Sequence, residues 1–110
     1  MPQVTKEELH KKVLDHKEEL VSLCQSLIRI KNQSPLDPQE PAVDFVRGYL
    51  ASHGIDSQRL VAYAGEDYPV IYARIGSDDG FHVVLNGHVD VVPVGNLSGW
   101  DFDPFGAEVF

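Results

Sequence analysis

Val83-Val84-Leu85-Asn86-Gly87-His88-Val89-Asp90-Val91-Val92-Pro93 is an apolar run that turns polar at its end and is stopped by proline. Valine and leucine at this density favour a pleated strand buried on both faces, and the run is too short for an ordinary helix. Side chains alternate along a strand, so Asn86, His88 and Asp90 share one face while Leu85, Gly87, Val89 and Val91 share the other. In open α/β sheets the C-terminal end of such a strand is where ligands bind. Gly87 fits that picture, because a missing side chain inside a strand often marks close approach of a ligand or another backbone.

The His-x-Asp spacing has a direct chemical use. Imidazole binds a transition metal through one nitrogen, and an acceptor on the other nitrogen fixes the tautomer and the direction of the ring. A carboxylate two residues along the same face supplies that acceptor. The same spacing is also met where the histidine only hydrogen-bonds locally and the aspartate caps the next turn.

Composition narrows the class. A chain of 110 residues suits one small domain, and 43% hydrophobic content with seven prolines and nine glycines is ordinary for a globular protein. The formal charge of −8 argues against a nucleic-acid surface, which needs clustered Lys and Arg. Cys24 is the only cysteine, so no intramolecular disulfide forms and nothing points to an oxidising compartment. No apolar run approaches the roughly 20 residues that span a bilayer, and the charged, amphipathic N-terminus is unlike a signal peptide. A soluble, cytoplasmic protein with no membrane partner is expected.

Working outward, residues 5 to about 30 carry a helical pattern. Thr5 with Glu8 forms a capping box, and Glu7 with Lys11 and Glu8 with Lys12 are spaced as ion pairs. Leu20, Leu23, Cys24, Leu27 and Ile28 make an apolar stripe that turns the second half toward the core, with Cys24 as a small buried hydrophobe. The proline-rich stretch from Asn32 to Pro41 reads as a loop, and a second helix follows from about Gln39 to His53, ended by Gly54. Ile55 to Ala64 and Val70 to Ile75 read as strands, with Arg59, Tyr63, Tyr72 and Arg74 at exposed positions. The turn at residues 76–80 then leads into the valine-rich run. Beyond Pro93, three aromatic residues sit in a glycine-rich loop; Asp101 and Asp103 have the chemistry of metal ligands, but Asp103-Pro104 equally starts a turn.

Asn86-Gly87-His88-Val89-Asp90-Val91-Val92-Pro93, a Gly/Asn/Ser loop, and then Gly99-Trp100-x-x-Asp103-Pro104-Phe105 together resemble a known family. It is the zinc-dependent metallopeptidase and deacylase family that includes acetylornithine deacetylase, succinyl-diaminopimelate desuccinylase, aminoacylase, glutamate-releasing carboxypeptidase and bacterial dipeptidases. The helix, loop, helix and strand prelude is similar too, so the resemblance covers essentially the whole chain.

The resemblance implies an α/β fold, with residues 1–110 as the incomplete N-terminal part of a three-layer α/β/α catalytic domain: two helices followed by three strands of a mixed sheet. It implies a two-zinc amide hydrolase, with cobalt or manganese as alternative metals, acting on N-acyl amino acids or short peptides through a zinc-activated water. His88 would be a ligand of one zinc, and Asp90 the catalytic-site carboxylate that orients it. In the family a bridging aspartate, a Glu-Glu pair, a further acidic ligand and a late histidine follow the stretch matching Trp100 to Phe105. None precedes Phe110, so the 110 residues alone are expected to be inactive, and the valine-rich strand is expected to leave an edge that favours self-association. The competing reading is a non-catalytic binding or assembly module that kept the fold without the full metal site.

Overall fold

A computed structural model describes residues 3–61 and 68–110. Its elements are helix α1 over Lys6–Asp15, helix α2 over Lys17–Arg29, helix α3 over Glu40–Ser52, strand β1 over Ser57–Val61, strand β2 over Pro69–Ala73, and a short 3₁₀ turn over Leu97–Gly99. The mixed α/β class is as expected. The strand and helix counts differ from the expectation, and each difference has a local cause.

The first helix starts as read: Thr5 Oγ1 accepts from the Glu8 N–H at 3.2 Å, and the Glu8 carboxylate accepts from the Thr5 N–H at 2.7 Å. Both donors would otherwise be orphaned at the helix start. Donation from Thr5 to the carboxylate, from its backbone N–H foremost, holds the Glu8 carboxyl below its ordinary pKa. Glu8 is thereby committed to the cap, and Lys11 pairs with Asp15 at 2.9 Å, so the two expected ion pairs give way to a different one. The single long helix is broken at His16, whose φ of −101° and ψ of 10° lie outside the helical region. His16 closes α1 and opens α2, with its Nδ1 at 3.2 Å from the Glu19 carboxylate three residues on.

Pro41 in the first turn and Gly54, at φ +71°, bracket α3. Proline lacks the N–H that the first turn cannot pair, and glycine adopts the left-handed conformation that ends a helix. Ala42 and Val43, only 1% and 4% exposed, are the buried apolar residues among those described. Helix α3 lies against the β1–β2 pair. The strands are antiparallel, with Arg59 opposite Ile71 and Val61 opposite Pro69. Contrary to expectation, Arg59 is half-buried, because its guanidinium forms an ion pair with Glu40 at the start of α3. Arg47 of α3 reaches the same strand, donating to the Ser57 carbonyl and hydroxyl at 3.2 Å. Tyr72 and Arg74 are exposed as expected, while Tyr63 and the expected end of the first strand lie outside the described residues.

Tyr49 ties α3 to α2 by donating its hydroxyl to Glu19 at 2.5 Å. That bond, followed by the one from His16, lowers the Glu19 pKa, and the carboxylate in turn raises that of the Tyr49 hydroxyl.

The valine-rich run departs most from its reading. Among the described residues it forms no strand: residues 81–89 are exposed throughout, Val84 at 86% and Leu85 at 92%, and the run's one β contact is a parallel bridge between Val91 and Gln33. Strand propensity measures how well side chains suit a packed sheet, and a strand forms only when a neighbour takes its backbone groups. Neither β1 nor β2 does so. The radius of gyration is 17.2 Å, against about 13 Å for a compact domain of this length, consistent with apolar surface left uncovered.

Candidate functional site

The site is built where the end of the valine-rich run meets the loop after α2. The Val91 N–H donates to the Asn32 carbonyl at 3.0 Å, and the Ser34 N–H donates to the Val91 carbonyl at 2.8 Å. Gln33 joins the same two segments through its side chain, accepting from the Val94 N–H at 3.0 Å and donating to Asp37 at 2.8 Å. The Gln33 backbone N–H also donates to Asp37, at 2.9 Å. These donors, the backbone N–H foremost, depress the Asp37 pKa. Nothing in the sequence singled out Gln33; only the pairing of two segments some sixty positions apart reveals its role.

This clamp sets the direction in which residues 88–90 leave the body of the protein. His88 Nδ1 lies 3.0 Å from Asp90 Oδ1 and 2.9 Å from the Asp90 carbonyl oxygen. Both partners are acceptors only, so Nδ1 carries the hydrogen and donates it. In the neutral ring that leaves the lone pair on Nε2. The His88 side chain is 82% exposed and the Asp90 side chain about half as much, so an incoming ligand has open access to the imidazole. The two residues singled out by the sequence are thus brought together, with the carboxylate orienting the ring.

Other candidates fall elsewhere. Asp103 Oδ1 accepts from the Phe105 N–H at 2.9 Å, and the Gly106 N–H donates to the Asp103 carbonyl at 3.0 Å, so Asp103 shapes a turn. Asp101 is exposed. Nothing lies within 4 Å of where a Cβ on Gly87 would stand, so the close approach expected there is absent among the described residues. Among those residues, no group of three or more His, Cys, Asp or Glu could hold a metal ion.

Beside His88 opens a cleft of about 430 Å³, walled by Leu27 and Ile28 of α2, by residues 91–94, and by Trp100 and Phe105. The aromatics fasten the loop as its composition suggests: Trp100 Nε1 donates to the Val94 carbonyl at 2.9 Å, and the Lys31 ammonium lies 5.4 Å from the Phe105 ring centre. Gln25 of α2 holds the far side by donating to the Ala107 carbonyl at 2.8 Å. Cys24, expected to be buried, lines this cleft and is exposed, because among the described residues no strand closes over its side of α2. Asn32 is only 3% exposed, and its Oδ1 has no hydrogen-bond partner among the described residues.

The sequence was compared with known proteins. It is 41% identical over 92 residues to a succinyl-diaminopimelate desuccinylase of Methylocella silvestris, an alignment covering 81% of this chain and 23% of that protein. It is 34% identical over 101 residues to the N-formyl-4-amino-5-aminomethyl-2-methylpyrimidine deformylase of Bacillus subtilis, covering 88% of this chain and 23% of the relative. The chain is similar to a group of relatives named as desuccinylases and a deformylase. A third relative, a succinyl-diaminopimelate desuccinylase of Rhodospirillum centenum, matches at 36% identity over 91 residues, 81% of this chain and 23% of that protein. The chain therefore spans about a quarter of the length of the curated relatives it matches. No family model matches the chain. No solved structure matches it either. No helix among the described residues is long and apolar enough to cross a membrane.

Proposed function

We propose that this sequence is part of a metal-dependent hydrolase that cleaves an amide bond in an N-acyl amino acid or short peptide. The observation that carries the reading is the His88–Asp90 pair, whose contact at Nδ1 leaves Nε2 available to a metal, in a chain related to a desuccinylase and a deformylase. Residues 1–110 supply one part of the catalytic domain.

The side chains here fit a metal in part. His88 has the nitrogen, tautomer and exposure of a ligand, and Asp90 has the position that orients a ligating imidazole and raises its basicity. A catalytic zinc takes three protein ligands, and the described residues do not gather three. On this reading the remaining ligands and the general base would come from residues of the whole protein other than those described. A zinc, cobalt or manganese ion at such a site supplies Lewis acidity toward the amide carbonyl. This chain's own part is positional: Asp90 holds the ring, and the Gln33 and Val91 contacts hold the segment that carries both.

The test is an assay of the whole protein carrying this sequence against N-succinyl and N-formyl amines, N-acetyl amino acids and dipeptides, with zinc, cobalt or manganese and after chelation. Release of the free amine that chelation abolishes and metal restores is the expected result. No release from any of these substrates with any of the three metals would overturn the proposal in favour of a non-catalytic module.

A further inference from the structure

The side chain of Gln33 ends in a planar amide whose two halves are alike in shape and opposite in hydrogen bonding, an oxygen that accepts and a nitrogen that donates. Turned over, it fills the same space with the two roles exchanged. In the structure Oε1 faces Val94 and accepts from its backbone N–H at 3.0 Å. The exchanged orientation would set two donors against each other there.

Asp37 decides between them. Its Oδ2 accepts from Gln33 Nε2 at 2.8 Å and from the Gln33 backbone N–H at 2.9 Å, while its own N–H donates to the Gln33 carbonyl at 2.8 Å. These bonds close a ring between the two residues and fix the carboxylate beside the amide. Donation from Gln33 holds the Asp37 carboxyl below its ordinary pKa. An ionised carboxylate accepts only, so it takes the NH₂ half and leaves the carbonyl half for Val94. The segment that carries His88 and Asp90 is thus fastened at two points of different kind. Val91 is held by the backbone of Asn32 and Ser34, and Val94 by a side chain that can turn.

We infer that Asp37 is a positioning residue: by accepting only, it fixes which way the Gln33 amide faces, and through that amide the hold on Val94 and on the segment bearing His88 and Asp90. Only its effect on turnover rests on the hydrolase reading.

The test exchanges the two chemistries in the whole protein carrying this sequence, with backbone amide hydrogen exchange as the readout. Gln33→Glu sets a second carboxylate against Asp37, and the two repel. Exchange at Val94 should quicken several-fold, and exchange at Val91 should change less. Adding Asp37→Asn supplies a donor for the new carboxylate and keeps an acceptor for the backbone N–H of residue 33, so protection at Val94 should return close to the wild-type value. Asp37→Ala should quicken Val94 by itself and add nothing once Gln33→Met has removed the amide. No quickening at Val94 in either Gln33→Glu or Asp37→Ala, no recovery when Asp37→Asn joins Gln33→Glu, or an Asp37→Ala effect as large without the Gln33 amide as with it would each overturn the inference. Turnover of an N-acyl amino acid should fall in kcat with Gln33→Glu and recover with the added Asp37→Asn; a kcat that does not follow Val94 protection would overturn the link to His88. A wild type inactive on every substrate would count against the hydrolase reading, with the exchange rates still deciding the role of Asp37.

Discussion

Replacing Asp90 by asparagine should weaken the hold on the His88 ring without changing its shape. In the wild type, Nδ1 donates to a charged carboxylate oxygen at 3.0 Å and to the Asp90 carbonyl at 2.9 Å. The amide of the variant keeps a neutral acceptor beside the same backbone carbonyl, so only the charge is lost. A hydrogen bond to a charged group contributes about 1.5–3 kcal/mol net. A neutral acceptor is roughly half as strong, and solvent exposure cuts the difference to about 1 kcal/mol at most. That corresponds to about fivefold in the ratio of the two neutral tautomers. Ring ¹⁵N chemical shifts, recorded in the alkaline range where the imidazole is neutral, report that ratio directly. The wild type should show Nδ1 protonated and Nε2 bare, and Asp90→Asn should shift the balance several-fold toward protonated Nε2. A wild-type ring protonated at Nε2, or an unchanged ratio in the variant, would refute the orientation derived from the geometry.

Other consequences can be checked on the same chain. Gln33→Met keeps the length of the side chain but removes the acceptor for the Val94 N–H; hydrogen exchange at Val94 should quicken about fivefold, for a bond contributing about 1 kcal/mol. Val43→Ala deletes two methyl groups from the small buried cluster and should cost about 2 kcal/mol in urea denaturation, enough to blur the transition of so open a fold. The Asp37 carboxyl is held below its ordinary value of 3.8, so its contribution is fully present above that pH and disappears as pH falls through the lower folded value. Amide shifts of Gln33 should follow that acid transition in the wild type and lose it in Asp37→Asn. Tyr49→Phe should let the Glu19 carboxyl return toward its ordinary range, as followed by carboxyl ¹³C shifts.

What could be read ahead of the structure was what neighbouring residues decide among themselves. The capping box needs only Thr5 and Glu8 three positions apart, and the end of α3 needs only Gly54. The His88–Asp90 contact was legible for the same reason, since the two residues stand two positions apart in sequence and 3.0 Å apart in space. Contacts over distance were not. Arg59 is drawn inward by Glu40, nineteen positions away, and Gln33 acts on Val94 across sixty-one. The break at His16 carries no proline or glycine to announce it. Residues 83–92 were read as a strand because their side chains suit one, yet pairing belongs to a partner that these residues do not specify and that neither β1 nor β2 provides.

The proposed role of His88 as a metal ligand of an amide hydrolase is tested most directly by His88→Ala in the whole protein carrying this sequence. Metal content by elemental analysis and turnover of an N-acyl amino acid would be measured side by side with the wild type. Fewer bound metal ions per chain and a loss of activity of at least about a hundredfold are expected, beyond the 10–100-fold of a residue that only orients a ligand. Unchanged metal content with unchanged turnover would contradict it.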